Sequence, residues 1–280
     1  MADLSTIALA CTLGQDDIWR AAVQESVSYP SNGSEVCFQI EEDSFWFRHR
    51  NACIEAAALL FPPPPGEPIF DVGGGNGFVS LGLLKAGFEV VLVEPSAAGA
   101  AHAKRRGLTN VVCGTTAAAG FPQGSLGAVG LFDVVEHIEE DLEFLRSIRA
   151  LMKRGGRLYL TVPAYQSLWS EEDEIAGHFR RYRLSSISRL LVQAGFELAY
   201  STYIFRPLLA PIFFMRALPY RLRGRRGAQA DASACRRDHV QRDGIAKGWL
   251  NTMLDAEVGR IAAGRSMSAG GSCLVVASAG

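Results

Sequence analysis

The feature that most constrains this fold is a glycine-rich turn between a short apolar run and a helical stretch. Ile69–Val72 is the apolar run, residues 73–77 read Gly-Gly-Gly-Asn-Gly, and a helical pattern follows from Phe78 to Ala86. Glycine allows a tight turn and close approach of a ligand to the backbone. The helix N-terminus adds free N–H groups and the positive end of a dipole. The turn therefore predicts a ligand site at the carboxyl end of a strand.

Strand and helix patterns alternate downstream of this turn, and such alternation predicts a parallel sheet covered on both faces. The remaining predicted strands are Glu89–Val93, Val111–Cys113, Ala128–Phe132, Arg157–Val162, Phe196–Tyr203 and Cys273–Ala277. Helices are predicted between them at Ala97–Arg106, Glu139–Met152 and Ser185–Ala194. We therefore expect an α/β, Rossmann-like, doubly wound fold with a mostly parallel seven-stranded sheet. Ligands of such sheets bind at the carboxyl ends of the strands.

A run of four prolines, Pro62–Pro65, separates an N-terminal region from this core, because such a run cannot form a helix. We expect helices around Asp16–Val27 and over Glu42–Leu60 before it. The predicted division is an N-terminal helical addition (1–64), a core (65–203), a helical insertion or lid (204–272) and a final core strand (273–280).

Composition excludes several classes of protein. The chain has 280 residues, of which 48% are hydrophobic and 20% charged, so it is neither disordered nor collagen-like. A formal net charge of −1 gives no indication of nucleic-acid binding. The six cysteines form no C-x-x-C pair, which suits reduced thiols in the cytosol. The apolar run Pro207–Met215 is shorter than the roughly 20 residues that span a bilayer. We expect a cytoplasmic protein.

The spacing within the glycine turn separates two classes of cofactor. A dinucleotide fold requires G-x-G-x-x-G, and counting from Gly73 and Gly75 places Phe78 where the third glycine should be. The observed pattern is G-x-G-x-G, which disfavours a nicotinamide dehydrogenase. An acid, Glu94, ends the next predicted strand, where an ionised carboxylate can accept strong hydrogen bonds from ribose hydroxyls.

Four motifs in order make residues 67–200 similar to the class I methyltransferases, which bind S-adenosylmethionine. They are the glycine turn, the strand end Leu92-Val93-Glu94-Pro95, the run Gly130-Leu131-Phe132-Asp133-Val134-Val135-Glu136-His137-Ile138, and Leu151-Met152-Lys153-Arg154-Gly155-Gly156-Arg157-Leu158. The stretch 161–182 resembles a bacterial methyltransferase-domain subgroup.

The resemblance implies a set of residues that hold S-adenosylmethionine, with S-adenosylhomocysteine as the product. They are Asp71, Gly73, Gly74, Gly75, Asn76, Gly77, Glu94, Pro95, Thr115, Thr116, Phe132 and Asp133. The family often has an acid after the third strand that meets the adenine amino group. Thr115 and Thr116 stand there instead. A threonine hydroxyl and backbone groups could contact adenine in place of the acid, with weaker discrimination.

Two histidines follow predicted strands and are the candidate catalytic residues, His137 and His178. A hydroxyl or ammonium acceptor must lose a proton to a base, whereas a carboxylate need not. The group Asp133, Glu136 and His137 is similar to an acid-x-x-Glu-His metal set in some quinone-ring O-methyltransferases. The alternatives are that Glu136 and His137 only orient the following helix and that His178 is a surface residue. The presence of a metal stays open.

Three residues of the predicted loop after the fifth strand are candidates to contact substrate, Tyr165, Trp169 and Arg181. Ordinary loop packing is the alternative. The run Phe45–Arg50 lies on the helix before the core, where added helices in this family often close over the cofactor. Its aromatic side chains equally suit a place in the core.

The segment between the last two predicted strands opens with apolar residues followed by an arginine cluster. Residues 204–242 contain nine Arg and two Asp, and this pattern suits an element that lies on anionic lipid. Three readings stay open: peripheral contact of residues 205–226 with the inner face of the membrane, a lid over an apolar acceptor, and the arm of a homodimer.

The sequence therefore predicts transfer of a methyl group from S-adenosylmethionine to an oxygen, hydroxyl or carboxyl, of a small apolar or lipid-like acceptor. N-methylation of a small metabolite is the alternative within the same class of enzyme. A third interpretation is a non-catalytic methyltransferase-like subunit that binds cofactor and serves a partner. No nucleic-acid partner is expected.

Overall fold

Nine strands form one sheet in the computed structural model, which describes residues 3–23, 38, 41–223 and 245–280. The strands are β1 (Cys11–Leu13), β2 (Trp19–Ala21), β3 (Ile69–Val72), β4 (Val90–Glu94), β5 (Val111–Cys113), β6 (Leu126–Phe132), β7 (Met152–Pro163), β8 (Phe196–Ile204) and β9 (Ser272–Ala279). Their order across the sheet is β1-β2-β5-β4-β3-β6-β7-β9-β8.

The pairing of these strands confirms the doubly wound α/β fold. Strands β5, β4, β3, β6 and β7 are parallel neighbours, whereas β9 runs antiparallel to both β7 and β8. The chain leaves β3 toward β4 on one side and later returns to β6 on the other. The switch point, where open α/β sheets bind their ligands, therefore lies at the carboxyl end of β3.

Ten helices connect or flank these strands in the described part of the chain. They are α1 (Leu4–Ile7), α2 (Phe45–Leu60), α3 (Phe78–Lys85), α4 (Ala97–Arg105), α5 (Asp141–Leu151), α6 (Glu171–Ala176), α7 (Leu184–Gln193), α8 (Leu209–Ile212), α9 (Leu218–Arg223) and α10 (Ile245–Ala262). Short 3-10 turns occur at Val135–His137, Gln166–Leu168 and Arg206–Leu208, and a π-helical turn, Phe213–Ala217, joins α8 to α9.

Apolar side chains fill both faces of the sheet. Successive residues of a strand point to opposite faces, so Phe70 of β3 joins the cluster that includes Leu145 of α5 and Ile187 of α7. Its neighbour Ile69 joins the other cluster, together with side chains of α2, α3 and α10. Because both faces are covered, the central strands are near-continuous apolar runs.

The helix expected around Asp16–Val27 is wrong where the structure describes it. Residues 19–21 are strand β2, which forms a hairpin with β1, and residues 24–27 lie outside the described residues. Strand β2 also pairs in parallel with the edge strand β5 through Trp19 and Val112. The free hydrogen-bonding groups of that edge favour an added strand, which overrides the local helical pattern and raises the strand count from seven to nine.

The second N-terminal helix is confirmed as α2, beginning at Phe45 rather than at Glu42. Within the insertion, α8, the π-helical turn and α9 precede residues 224–244, which lie outside the described residues. Phe214 and Met215 are exposed, and the lid, membrane and dimer readings of this segment stay predictions, as does the domain division. None of the described helices is long and apolar enough to cross a bilayer.

Candidate functional site

The glycine turn forms an open cradle at the end of β3. Gly75 has φ of 54°, and a Cβ atom built on it meets no heavy atom within 4 Å. Gly77 has φ of 77° and is limited by packing instead, because its Cβ would lie 2.6 Å from Leu108 Cδ1. Gly75 therefore presents bare backbone to open space, while Gly77 lets α3 begin close against its neighbours.

Glu94 ends β4 directly beside this cradle. Its Oε2 accepts a hydrogen bond of 2.8 Å from the Gly75 N–H, and its Oε1 accepts one of 2.7 Å from the Ser96 N–H. Burial raises the pKa of this carboxyl to about 7, although the two N–H groups oppose that shift. A carboxylate oxygen can accept more than one hydrogen bond. Each oxygen therefore retains the capacity to accept from a ribose hydroxyl, which fits the predicted role.

Asp71 supports the base of the cradle. It is 1% exposed, and its Oδ2 accepts a 2.6 Å hydrogen bond from the Ser80 hydroxyl of α3. Burial raises the pKa of Asp71 to about 6. Its Oδ1 is buried and has no hydrogen-bond partner among the described residues. A Cβ on Gly74 would lie 2.8 Å from Oδ2, so Asp71 and Gly74 pack too closely for a larger residue.

Arg50 of α2 is a candidate site residue that the sequence motifs do not reveal. Its Nη1 donates to Asp133 Oδ2, and Asp133 Oδ1 accepts a 2.9 Å hydrogen bond from the Thr161 hydroxyl. The Arg50 Nε is buried without a hydrogen-bond partner among the described residues. Asp133 directly follows β6 and has φ of 57°, a conformation that is costly for a non-glycine residue and clusters at functional sites. The only sequence signal was the position of Arg50 on the helix expected to close over the cofactor.

The other predicted cofactor residues lie at neighbouring strand ends. The Gly114 N–H donates to the Glu94 carbonyl over 3.0 Å, which brings the β5 end, with Thr115 and Thr116, to the β4 end, with Pro95. Thr115 Oγ1 accepts from the Ala118 N–H over 3.1 Å. Gly73 begins the cradle after β3, and Phe132 ends β6, where it is 7% exposed.

The Asn76 side chain is engaged away from the cradle. Its Oδ1 lies 2.8 Å from His102 Nδ1, and its Nδ2 donates to Glu41 over 3.4 Å. Both partners are buried and polar, and the residue itself is 3% exposed. Any contact of Asn76 with a ligand in the cradle would therefore come from its backbone.

An open apolar cleft of about 550 Å³ lies beside the exit of β7, within the size range of small-molecule pockets. Its lining is Tyr165, Ser167, Leu168, Arg206, Pro207, Leu209, Ala210, Phe213, Phe214 and Ala269. Tyr165, one of the predicted substrate residues, stacks on Tyr203 with ring centroids 5.0 Å apart. Trp169 and Arg181 are not part of the lining, and Arg181 Nε donates to Asp173 over 2.7 Å.

The two candidate catalytic histidines lie together, with ring centroids 4.7 Å apart in an edge-to-face arrangement. Burial, and secondarily the nearby His178, lower the pKa of His137 to about 4, so its ring is neutral at pH 7. His178 Nδ1 lies 2.8 Å from Asp173 Oδ1. Glu136 lies next to both rings and is 1% exposed.

Comparison with known proteins matches residues 45–201 to a family model described as a methyltransferase domain. A probable S-adenosylmethionine-dependent methyltransferase of Mycolicibacterium smegmatis is 22% identical over 171 residues, which cover 60% of this chain and 65% of that relative. The ubiquinone biosynthesis O-methyltransferase of Caulobacter vibrioides is 30% identical over 104 residues, covering 35% and 41%. The chain thus spans less than two thirds of the length of these relatives.

Among solved structures, the putative methyltransferase in complex with the Trm112 activator of Haloferax volcanii has a similar fold. The TM-score is 0.55 at 17% identity, and the alignment covers 89% of this chain and 95% of that one. At this level of identity the likeness concerns the fold alone.

Proposed function

Because the chain belongs to the methyltransferase-domain family, we propose that it transfers a methyl group from S-adenosylmethionine to an oxygen of a small apolar or lipid-like acceptor. The observation that carries the proposal is the contact between Glu94 and the Gly75 N–H. It places a buried carboxylate against an open glycine turn at the switch point of the sheet. A sugar diol and an amino-acid tail are the two ends of the cofactor that such a pair would hold.

Three charged side chains surround the place where the cofactor would lie. Glu94 supplies acceptor oxygens for the ribose hydroxyls, and the Gly75 backbone leaves the space that the ligand needs. The Arg50 side chain is 13% exposed and retains an unused, buried Nε–H, and a guanidinium is suited to a carboxylate. Arg50 would therefore hold the carboxylate of the cofactor's amino-acid part, with Asp133 fixing its orientation.

The bound cofactor supplies an electrophilic methyl group on a sulfonium. The task of the protein is to hold the acceptor oxygen in line with that group, and positioning of this kind contributes about 7–11 kcal/mol. An acceptor hydroxyl must also lose its proton as the new carbon–oxygen bond forms. The cluster of Glu136, His137 and His178 would accept this proton. A carboxylate acceptor needs no base.

Replacing Glu94 by Ala is expected to weaken S-adenosylhomocysteine binding by about 1.5–3 kcal/mol, since it removes hydrogen bonds to a charged acceptor. Isothermal titration calorimetry measures this change. Glu197→Ala removes an exposed carboxylate from the distant strand β8 and is the matched control. Equal affinities for the two variants would show that the ribose is held elsewhere.

The same carboxyl predicts a pH dependence of cofactor binding. Burial raises the pKa of Glu94 to about 7 in the free protein, and the ionised form is the stronger acceptor. A ligand that prefers the ionised form binds more tightly as pH rises through that pKa, so affinity should increase from about pH 6 to about pH 8. Glu94→Gln should flatten the profile, and an unchanged slope in this variant would assign the dependence to another group.

The acceptor class is supported by the cleft beside β7. Its wall is mostly apolar, and the Arg206 guanidinium on its rim has no hydrogen-bond or ion-pair partner among the described residues. An apolar body with an oxygen group at one end matches this combination. Purified protein with labelled cofactor and a panel of hydroxylated lipids, fatty acids and matched amines should give O-methylated products by mass spectrometry. Product from the amines alone would overturn the proposed acceptor and favour N-methylation.

A further inference from the structure

We propose that Glu136, His137 and His178 form a binding site for a divalent transition-metal cation. The three side chains come from two separate segments, the 3-10 turn after β6 and the loop after α6. Each offers one ligand atom, and these atoms all lie within 4.8 Å of one another. Metal–ligand bonds of about 2.0–2.2 Å place ligand atoms roughly 3–4 Å apart, so the side chains need to move by only about 1 Å to enclose an ion.

The backbone holds the two segments in register. The Phe179 N–H donates to the Glu136 carbonyl over 2.8 Å, and the His178 N–H donates to the Asp173 carbonyl over 2.9 Å. The first of these bonds joins the turn after β6 to the loop that carries the second histidine, and the second ties that loop to helix α6. Backbone hydrogen bonds therefore fix the positions from which the three side chains of the cluster extend.

Glu136 provides an independent indication of a ligand. It is 1% exposed, and neither carboxylate oxygen has a hydrogen-bond partner among the described residues. Two charged or polar side chains that interact electrostatically with Glu136 donate elsewhere, Tyr182 to Asp141 and Arg181 to Asp173. Burying a carboxyl without a partner is costly, and a cation between Glu136 and the two rings would supply that partner.

His178 is oriented as metal-binding histidines are. Its Nδ1 lies 2.8 Å from Asp173 Oδ1, which leaves Nε2 for a cation. Asp173 is itself held by the Ser170 N–H over 2.8 Å and by Arg181 Nε over 2.7 Å. A carboxylate behind a ligating histidine fixes the tautomer and increases the basicity of the ring.

The structure assigns a different ligand set from the one suggested by the motif at residues 133–137. Asp133 is bound by Arg50 and Thr161 and is not one of the three grouped residues. His178 takes its place, so the donors are two imidazoles and one carboxylate. Such a set suits ions such as Zn²⁺, Fe²⁺ or Co²⁺ better than Mg²⁺. Three protein ligands leave one coordination position open for an acceptor oxygen. Only this role of the cation in catalysis rests on the proposed function; its binding does not.

Calorimetry with Zn²⁺ on chelator-treated, cofactor-free protein tests the site. We expect one cation per chain at this site, with affinity reduced at least about tenfold by Glu136→Gln and by His178→Ala, since each removes a ligand. Glu171→Gln removes an exposed carboxylate from neighbouring helix α6 and should bind like the wild type. Asp133→Asn should also retain the affinity. Co²⁺ absorption distinguishes this site from cysteine ligation, because the expected spectrum lacks a thiolate band.

Wild-type Zn²⁺ affinity in both Glu136→Gln and His178→Ala would overturn the proposal. So would a lower Zn²⁺ affinity in Asp133→Asn together with an unchanged Zn²⁺ affinity in His178→Ala. Thermal unfolding and S-adenosylhomocysteine titration of the same variants show whether they remain folded. The cation is titrated without cofactor or acceptor. Failure of cation binding and failure of methyl transfer are therefore distinguishable, because either result can occur without the other.

Discussion

Replacing Gly75 by Val is expected to lower the affinity for S-adenosylhomocysteine by more than about 100-fold. A side chain at this position enters the open space of the cradle, since a Cβ there meets no heavy atom of the protein within 4 Å. The cofactor would lose both that space and the close approach of the backbone. A β-branched residue at φ of 54° also costs about 1–3 kcal/mol of stability, which is small enough to leave the fold intact.

Gly66→Val is the matched control for this experiment. Gly66 has φ of 76°, and its Cβ likewise meets nothing within 4 Å, but it lies in the connector before β3. The two variants should therefore lose similar stability in chemical denaturation, and only Gly75→Val should lose cofactor binding in calorimetry. Similar affinities in both variants would contradict the proposed position of the cofactor.

Replacing Glu257 by Ala is expected to lower the free energy of unfolding by about 3–5 kcal/mol, because each buried polar group left without a partner costs about 1–3 kcal/mol. Glu257 lies on α10 and is 4% exposed. Its Oε2 accepts from the Phe205 N–H and lies 2.9 Å from His49 Nε2, while Oε1 accepts from the Arg206 N–H over 2.6 Å. Ala leaves two N–H groups and a buried imidazole without this partner.

Asp255→Ala removes an exposed carboxylate two residues earlier on the same helix and should change stability little. Urea denaturation followed by circular dichroism measures both variants. A loss below about 1 kcal/mol for Glu257→Ala would show that the three contacts together add little to the free energy of unfolding. Glu257 attaches α10 to α2 and to the exit of β8, so at this end the insertion is part of the molecule's core.

Local sequence was sufficient to predict most strands, the helix α2 and the glycine cradle. Each of these depends on residues within about one helix or strand of each other: apolar runs for buried strands, glycine where the backbone turns left-handed, and proline where helix is impossible. Glu94 could be identified for the same reason, since it ends the strand that follows the cradle.

Local sequence failed where a distant partner decided the outcome. The sequence pattern around Trp19 predicted a helix, yet these residues form a strand that pairs with the edge of β5. Arg50 gave no signal of its own, because the carboxylate that it contacts lies 83 residues later, at Asp133.

The sequence by itself determined the class of fold and the position of the glycine turn, because these follow from periodicity and turn chemistry over short distances. Only the tertiary structure decided which polar groups share a buried space. It brings His137 to His178 and His49 to Glu257, and it pairs Asp133 with Arg50. The partner of a buried polar group can come from any part of the chain. The spacing of two residues in the sequence does not tell how far apart they lie in the folded protein.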